Sequence, residues 1–154
     1  MDINIRLAKE TDYEAVNRIM LQVQEMHVDW RPDIYKPNDD LFPVEVFVQS
    51  IEKGTFFVAE RDGVVVGILE IAFRHVETPA HVTRDFVFID TMAMDENYRG
   101  QGIGYAMFGF LKEMKIEKNL DGIELQVNAR NIAAYEMYKK CGFTEKSINM
   151  ELLD

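Results

Sequence analysis

Residues 84–114 read RDFVFIDTMAMDENYRGQGIGYAMFGFLKEM, and the order of elements they encode decides how the rest of the chain is arranged. The spacing predicts a strand over about Asp85 to Met94, a short acidic turn, a glycine-rich loop and then an amphipathic helix. The loop is Arg99-Gly100-Gln101-Gly102-Ile103-Gly104, with glycine at alternate positions. A helix that starts there aims its free backbone N–H groups and the positive end of its dipole at whatever occupies the loop. Glycines let the backbone come close to that occupant, so the arrangement suits phosphate or pyrophosphate.

Working back toward the N-terminus, Ile3, Ile5 and Leu7 alternate with polar residues as a short strand. Thr11 and Glu14 have the spacing of a capping box. The helix after them carries Val16, Ile19, Met20, Val23 and Met26–His27 on one face and stops by Arg31, before Pro32. Residues 28–43 hold three of the four prolines, with Trp30, Tyr35, Phe42 and four aspartates, and read as a loop. A short helix over about Val44 to Lys53 closes on Gly54. Thr55 to Glu60 and Val64 to Arg74 read as a hairpin about Asp62-Gly63, and residues 75–83 as a connection into the strand that opens the central stretch.

Beyond the central helix, Ile123 to Val127 is a fifth strand. A helix from about Asn131 to Cys141 closes on Gly142, with Phe143 packing back on it, and a final strand spans about Glu145 to Leu152. The order β-α-α-β-β-β-α-β-α-β predicts an α/β chain built on a mixed sheet with helices on both faces. The strand–helix–strand step around the glycine loop should make its two strands parallel neighbours. At this length residues 1–154 are expected to form a single domain.

The charge balance, 17 Lys+Arg against 27 Asp+Glu for a formal net charge of −10, argues against nucleic acid as a partner and would draw in a cationic amine. One cysteine, Cys141, allows no internal disulfide and fits a reducing compartment. No stretch is long and apolar enough to span a bilayer and no signal-peptide pattern is present, so the cytoplasm is the expected location. The three histidines lack metal-ligand spacing, and no metal is expected. The chain is compatible with a homodimer.

Two phosphate readings fail on spacing. A dinucleotide fingerprint would need glycine at Tyr105 or Met107, and no P-loop Gly-Lys-Ser/Thr follows. The pattern present is R-x-x-G-x-G at Arg99 to Gly104. A second block, Asn131-Ile-Ala-Ala-Tyr135-Glu-Met-Tyr138 followed by Lys-Lys-Cys-Gly142-Phe143, places Asn131, Ala134, Tyr135 and Tyr138 on one helical face.

Together, Met92-Ala93-Met94 leading into Arg99–Gly104 and Asn131…Ala134…Tyr138…Gly142-Phe143 resemble the two signatures of the GNAT superfamily of acyl-CoA-dependent N-acetyltransferases. The resemblance runs from about Ile3 to Leu152. It implies direct transfer of an acetyl group from acetyl-CoA, the co-substrate, to a primary amine through a tetrahedral intermediate. The backbone of Met92, Ala93 and Met94 would pair with the pantetheine arm, and the Met92 amide would polarise the thioester carbonyl. Arg99, Gly100, Gln101, Gly102, Ile103 and Gly104 would hold the pyrophosphate, and Asn131 would contact the arm. Tyr138 would protonate the leaving thiolate, although the same helix face would also suit a core aromatic.

The general base is less defined. In some relatives it is a Glu at the position of Gln126, which takes no proton at neutral pH. Asp90, two residues before Met92, is the first candidate, followed by Glu70, His75 or a water. A nucleophilic Cys141 would imply an acyl-enzyme route, which a small packed thiol at a helix end does not favour. The acceptor would lie against the first helices and residues 27–43. A non-catalytic acyl-CoA-binding sensor or interaction module is the alternative, and Gln126 is the feature that favours it.

Overall fold

The computed structural model describes residues 2–154. Strand β1 (Asn4–Leu7) leads into helices α1 (Tyr13–Trp30) and α2 (Val44–Glu52). Strands β2 (Phe56–Arg61), β3 (Val64–Thr78) and β4 (His81–Met94) follow, then helix α3 (Ile103–Glu117), strand β5 (Gly122–Leu125) and helix α4 (Ile132–Lys140). The sheet has the sequential order β1-β2-β3-β4-β5. Every neighbouring pair is antiparallel except β4–β5, which is parallel. The meander and the parallel crossover expected around the glycine loop are both present.

Alternation along the strands divides the core in two. Phe56, Val58, Ile68 and Ala93 face α1 and α2, where they meet Val16, Ile19 and Phe47. Their neighbours Phe57, Leu69, Val87 and Ile89 face α3, where they meet Ile103, Met107, Phe108 and Leu111. Strand side chains alternate between faces, so the apolar runs of β2 and β3 serve both layers. Two helices end in glycine as expected. Gly142 (φ +98°) follows α4, with Phe143 N–H donating to Tyr138 C=O and Gly142 N–H to Lys139 C=O, both at 3.0 Å. Gly54 (φ +70°) closes α2 in the same way, through Thr55 N–H to Ser50 C=O at 3.1 Å.

Four expectations are corrected. The connection at 75–83 is strand: β3 and β4 continue as a hairpin arm to Thr78 and His81, because a Pro79-Ala80 tip suffices to reverse the chain. The Thr11–Glu14 box does not form. A 3-10 turn over Glu10–Asp12 precedes α1, and the Asp12 carboxylate accepts from Lys9 N–H and from Arg6 of β1. Strand β5 stops at Leu125, two residues short of Val127. Residues 145–152 form no strand, because no neighbouring backbone of the chain pairs with them.

Candidate active site

Two irregularities in the ladders of β4 shape the site. Across β3, Glu70 pairs with Thr91 and Ile71 with Ile89, so Asp90 is the extra residue of a β-bulge. Bulges re-aim side chains and occur beside functional sites. On its other edge β4 pairs with β5 only from Phe86 to Ile89, opposite Gly122 to Leu125. Residues Asp90–Met94 therefore continue past the last β5 pair, and β4 and β5 part there.

A cavity of about 310 Å³ opens at this parting, lined by His27, Tyr35, Phe88, Ile89, Asp90, Gln126, Val127 and Asn128. Asp90 is its only acidic group. The His27 ring lies 4.8 Å from that of Tyr35 in a stacked pair, and burial pulls the imidazole below its ordinary pKa, which keeps it neutral at physiological pH. Glu70 stands behind Asp90. Its carboxylate accepts from the Ser50 hydroxyl at 3.1 Å. Burial, with a smaller contribution from Asp90, pushes the Glu70 carboxyl above its ordinary value despite that bond. Ser50 is held in place by the Gly54 cap that ends α2.

A second cavity, about 120 Å³, lies at the other end of the same β4 segment, lined by Met94, Tyr98, Gly100, Gly102, Ile103, Gly104, Tyr105 and Met137. Gly100 (φ +75°) and Gly102 (φ +84°) adopt left-handed backbone with open space where a Cβ would stand. Gly102 caps α3, and the first helical bond after it runs from Ala106 N–H to Gly102 C=O. The N–H groups ahead of Ala106 have no such carbonyl within the helix, so the cradle can bind an anion. Gly104 lines the same cavity and is closely packed: a Cβ there would lie 2.7 Å from Met137 Sδ. Arg99 and Gln101 are exposed beside the cradle, with Arg61 hydrogen-bonded to Gln101.

The turn between β4 and the cradle is pinned from α1. Asp95 is 3% exposed; it accepts from Asn97 N–H at 3.0 Å and from Arg18 at 2.9 Å. Burial raises the Asp95 carboxyl, but these partners outweigh it and hold it below the usual carboxylate range. Gln22 accepts from Glu96 N–H at 3.0 Å. Arg18, Gln22 and Ser50 carry no sequence signal, since their partners are 77, 74 and 20 residues away. His27 did carry one, as an imidazole on an otherwise apolar helix stripe.

Helix α4 separates its two tyrosines. Tyr135 donates to Glu145. Tyr138 packs edge-on to Phe108, with centroids 5.7 Å apart, and burial pushes its phenol up, so it keeps its proton at neutral pH. Asn131 caps α4 by accepting from Ala134 N–H at 3.2 Å. The Cys141 thiol is raised by burial, which disfavours the thiolate. His75 is set apart: it bonds Asp85 and Glu77 on the hairpin arm, five residues from Glu70, or about 16 Å of strand. Among the loop aspartates, Asp33 is held by Arg31, and none of the four lines the cavity.

A mixed sheet whose fourth and fifth strands part beside a glycine cradle is the arrangement that the resemblance implied, and the comparisons agree. Residues 20–143 match the model of the acetyltransferase (GNAT) family, and the chain belongs to that family. An N-alpha-acetyltransferase of Sulfurisphaera tokodaii is 35% identical over 115 residues, 70% of this chain and 68% of the relative. Human N-acetylaspartate synthetase is 30% identical over 104 residues, which are 68% of this chain but only 32% of that protein. Among solved structures, a mutant of the BH1408 protein from Bacillus halodurans superposes with a TM-score of 0.91 at 28% identity, covering 97% of this chain and 98% of that one. The fold is also that of AAC(6')-Iy, solved with the bisubstrate analog CoA-S-monomethyl-acetylneamine: TM-score 0.71, 16% identity, 100% and 99% covered.

Proposed function

We propose that this chain moves an acetyl group from acetyl-CoA to a primary amine by direct attack. The observation that carries the reading is the stretch Asp90–Met94, which joins the two cavities along a β4 edge that β5 has left. In this reading the pantetheine arm lies along Met92–Met94 like an added strand. Arg99–Gly104 hold the pyrophosphate, and the Asn131 side chain meets the arm. The larger cavity takes the acceptor. That AAC(6')-Iy was solved with a CoA conjugate, and that a relative is named an N-alpha-acetyltransferase, supports both assignments.

Acetyl-CoA supplies the acetyl thioester; the chain's residues supply everything else. An alkylamine enters as an ammonium, since its pKa lies near 10.4, and Asp90 receives it and its proton. The Met92 N–H faces the oxygen that gains charge as the N–C bond forms, the type of contact that contributes most to such reactions. As the C–S bond breaks, Tyr138 passes its phenolic proton to the sulfur. Asp90 returns the first amine proton to solvent, and the second proton, which the nitrogen sheds on becoming an amide, is relayed through water to the Tyr138 oxygen, so one proton is released overall. His27 offers a second route for the amine proton, and a specific observation favours it: a neutral imidazole lines the same cavity. Gln126 then acts as a polar wall. A one-domain enzyme of the cytoplasm fits the single cysteine and the acidic surface.

The test is thiol release from acetyl-CoA over a panel of small amines, amino acids, polyamines, aminoglycosides and peptide N-termini. Turnover on at least one class is expected. Tight acetyl-CoA binding with no turnover on any would replace the enzyme with a binding module. Asp90→Asn should then lower kcat by about 10²-fold or more. Full activity in Asp90→Asn with the loss in His27→Gln would transfer the base role to the imidazole.

A further inference from the structure

Among the described residues every arginine but two hydrogen-bonds to a side chain or a carbonyl. The exceptions are Arg99, beside the glycine cradle, and Arg74, at the other end of the site. Arg74 Cζ lies 3.8 Å from the centre of the Phe88 ring, and Phe88 lines the larger cavity with Asp90. In the ladder Arg74 stands opposite Phe86, while Phe88 is opposite Ala72, so the side chain leans two residues along β4 toward Asp90. It is on the cavity's side of the sheet. Glu70, Ala72 and Arg74 share that face by alternation, and Leu69 and Ile71 of the opposite face pack against α3. Two more cations cover the same strip. Arg84 and Lys146 lie over Phe86, 4.8 and 5.6 Å from its centre, but both bond the Glu124 carboxylate at 2.8 Å. In a chain with a formal net charge of −10, Arg74 is thus a cation at the cavity with no anion of its own.

We propose that Arg74 selects the acceptor by binding a carboxylate on the same molecule as the amine, so that the substrates are free amino acids. The inference rests on the acetyl-transfer reading for the role of the cavity and narrows its acceptor. Asp90 receives the ammonium and Arg74 the carboxylate. A guanidinium lying over an aromatic ring keeps the N–H donors at its edge, and their fork matches the two oxygens of a carboxylate. Phe88 and Asp90 are two residues apart, so about 7 Å of strand at most separates the positions that hold the two charges. An α-amino acid bridges such a gap when its ammonium and carboxylate each sit about 2.8 Å from their partner. A peptide N-terminus presents a neutral amide at that place, and a polyamine brings a second cation against Arg74. A phosphate ester brings an extra negative charge next to Asp90, whereas a carboxylate gives each anchor one counter-charge.

The test sets glycine, leucine, phenylalanine, glutamate and lysine each beside its α-amide, with thiol release from acetyl-CoA as the readout. At least one amino acid should exceed its amide about tenfold or more in kcat/KM, mostly through KM. Such an order runs against basicity, since the amide's nitrogen is the less basic and more of it is neutral at pH 7. Arg74→Gln should remove the preference while kcat/KM for the amide stays within about twofold, and Arg74→Lys should restore part of it. Lys118→Gln makes the same change in net charge on the α3 face, where Lys118 lies 5.3 Å from the Phe73 ring, and should leave the preference intact. Amino acids no better than their amides, a preference that survives Arg74→Gln, or one lost equally in Lys118→Gln would overturn the proposal and leave acetyl transfer standing. If no amine is turned over, the acetyl-transfer reading fails, and calorimetry of the same acids and amides decides the proposal. Binding of an acid that Arg74→Gln abolishes would uphold it; equal binding of acid and amide, or none, would overturn it.

Discussion

Two tyrosines three positions apart on α4 show what a single residue's surroundings decide. Helical spacing puts Tyr135 and Tyr138 on one face, but Tyr135 is spent on Glu145, whose carboxylate raises the phenol. Tyr138 instead packs among Phe108 and Phe143, and its hydroxyl makes no hydrogen bond to another described residue. An acid that must give up its proton late in a reaction benefits from a protonated resting state and an uncommitted hydroxyl. Tyr138→Phe should therefore lower kcat by about 10²-fold or more while the Kd for acetyl-CoA, read by calorimetry, stays within about twofold. Equal losses in both would make the ring a packing residue. The ring contacts persist in phenylalanine, so the fold should survive the change.

At the scale of elements, the glycine loop divides into two kinds of position. Gly102 sits in left-handed backbone at the cap of α3 with open space around it, whereas a Cβ on Gly104 would strike Met137 of α4. Gly102→Ala should cost about 1 kcal/mol through its backbone and weaken acetyl-CoA about tenfold, because the cradle's N–H groups turn with it. Gly104→Ala should lower the melting temperature while changing that affinity less than threefold, roughly the penalty of moving one flexible thioether. Comparable loss of affinity in both would mean that Gly104 also faces the ligand.

Elements whose signals are local were legible in the sequence: the Asp62-Gly63 turn between β2 and β3, the glycine caps after α2 and α4, and the parallel β4–β5 step. Residues 75–83 were not, because Pro79-Ala80 lacks the glycine or asparagine that marks a hairpin tip, and strand continuity there rests on the cross-strand ladder. The segment 145–152 carries a genuine strand pattern, but pairing also needs a neighbouring backbone. The site divides similarly. Gly100–Gly104, Asn131 and Tyr138 stand at their motif spacings, whereas the Asp90 bulge, the Ser50–Glu70 bond and the Arg18–Asp95 pair exist only once distant segments meet.

Across the whole molecule, α1 ties the two ends of the site together. Its middle holds the turn before the cradle through Arg18 and Gln22, and its end gives His27 to the acceptor cavity. Arg18 touches neither cavity lining, so its effect on binding would have to pass through the position of that turn. Arg18→Met removes one partner of a buried carboxylate. Because the Arg18 side chain is half exposed, the loss should be about 1 kcal/mol, or roughly 2–4 °C for a chain of this size. The sign with pH follows from Asp95, whose folded pKa lies below its unfolded value near 3.9. Its contribution is full above that unfolded value and disappears as pH falls through the folded one. The gap in melting temperature between wild type and Arg18→Met should therefore be widest near pH 7 and close below about pH 4. Acetyl-CoA affinity at pH 7 should fall in the same variant, since a loosened Asp95–Asn97 turn no longer fixes Gly100 and Gly102 against β4. A gap that is constant across pH would show that Arg18 contributes through its aliphatic stem, and an unchanged affinity would detach α1 from the cradle.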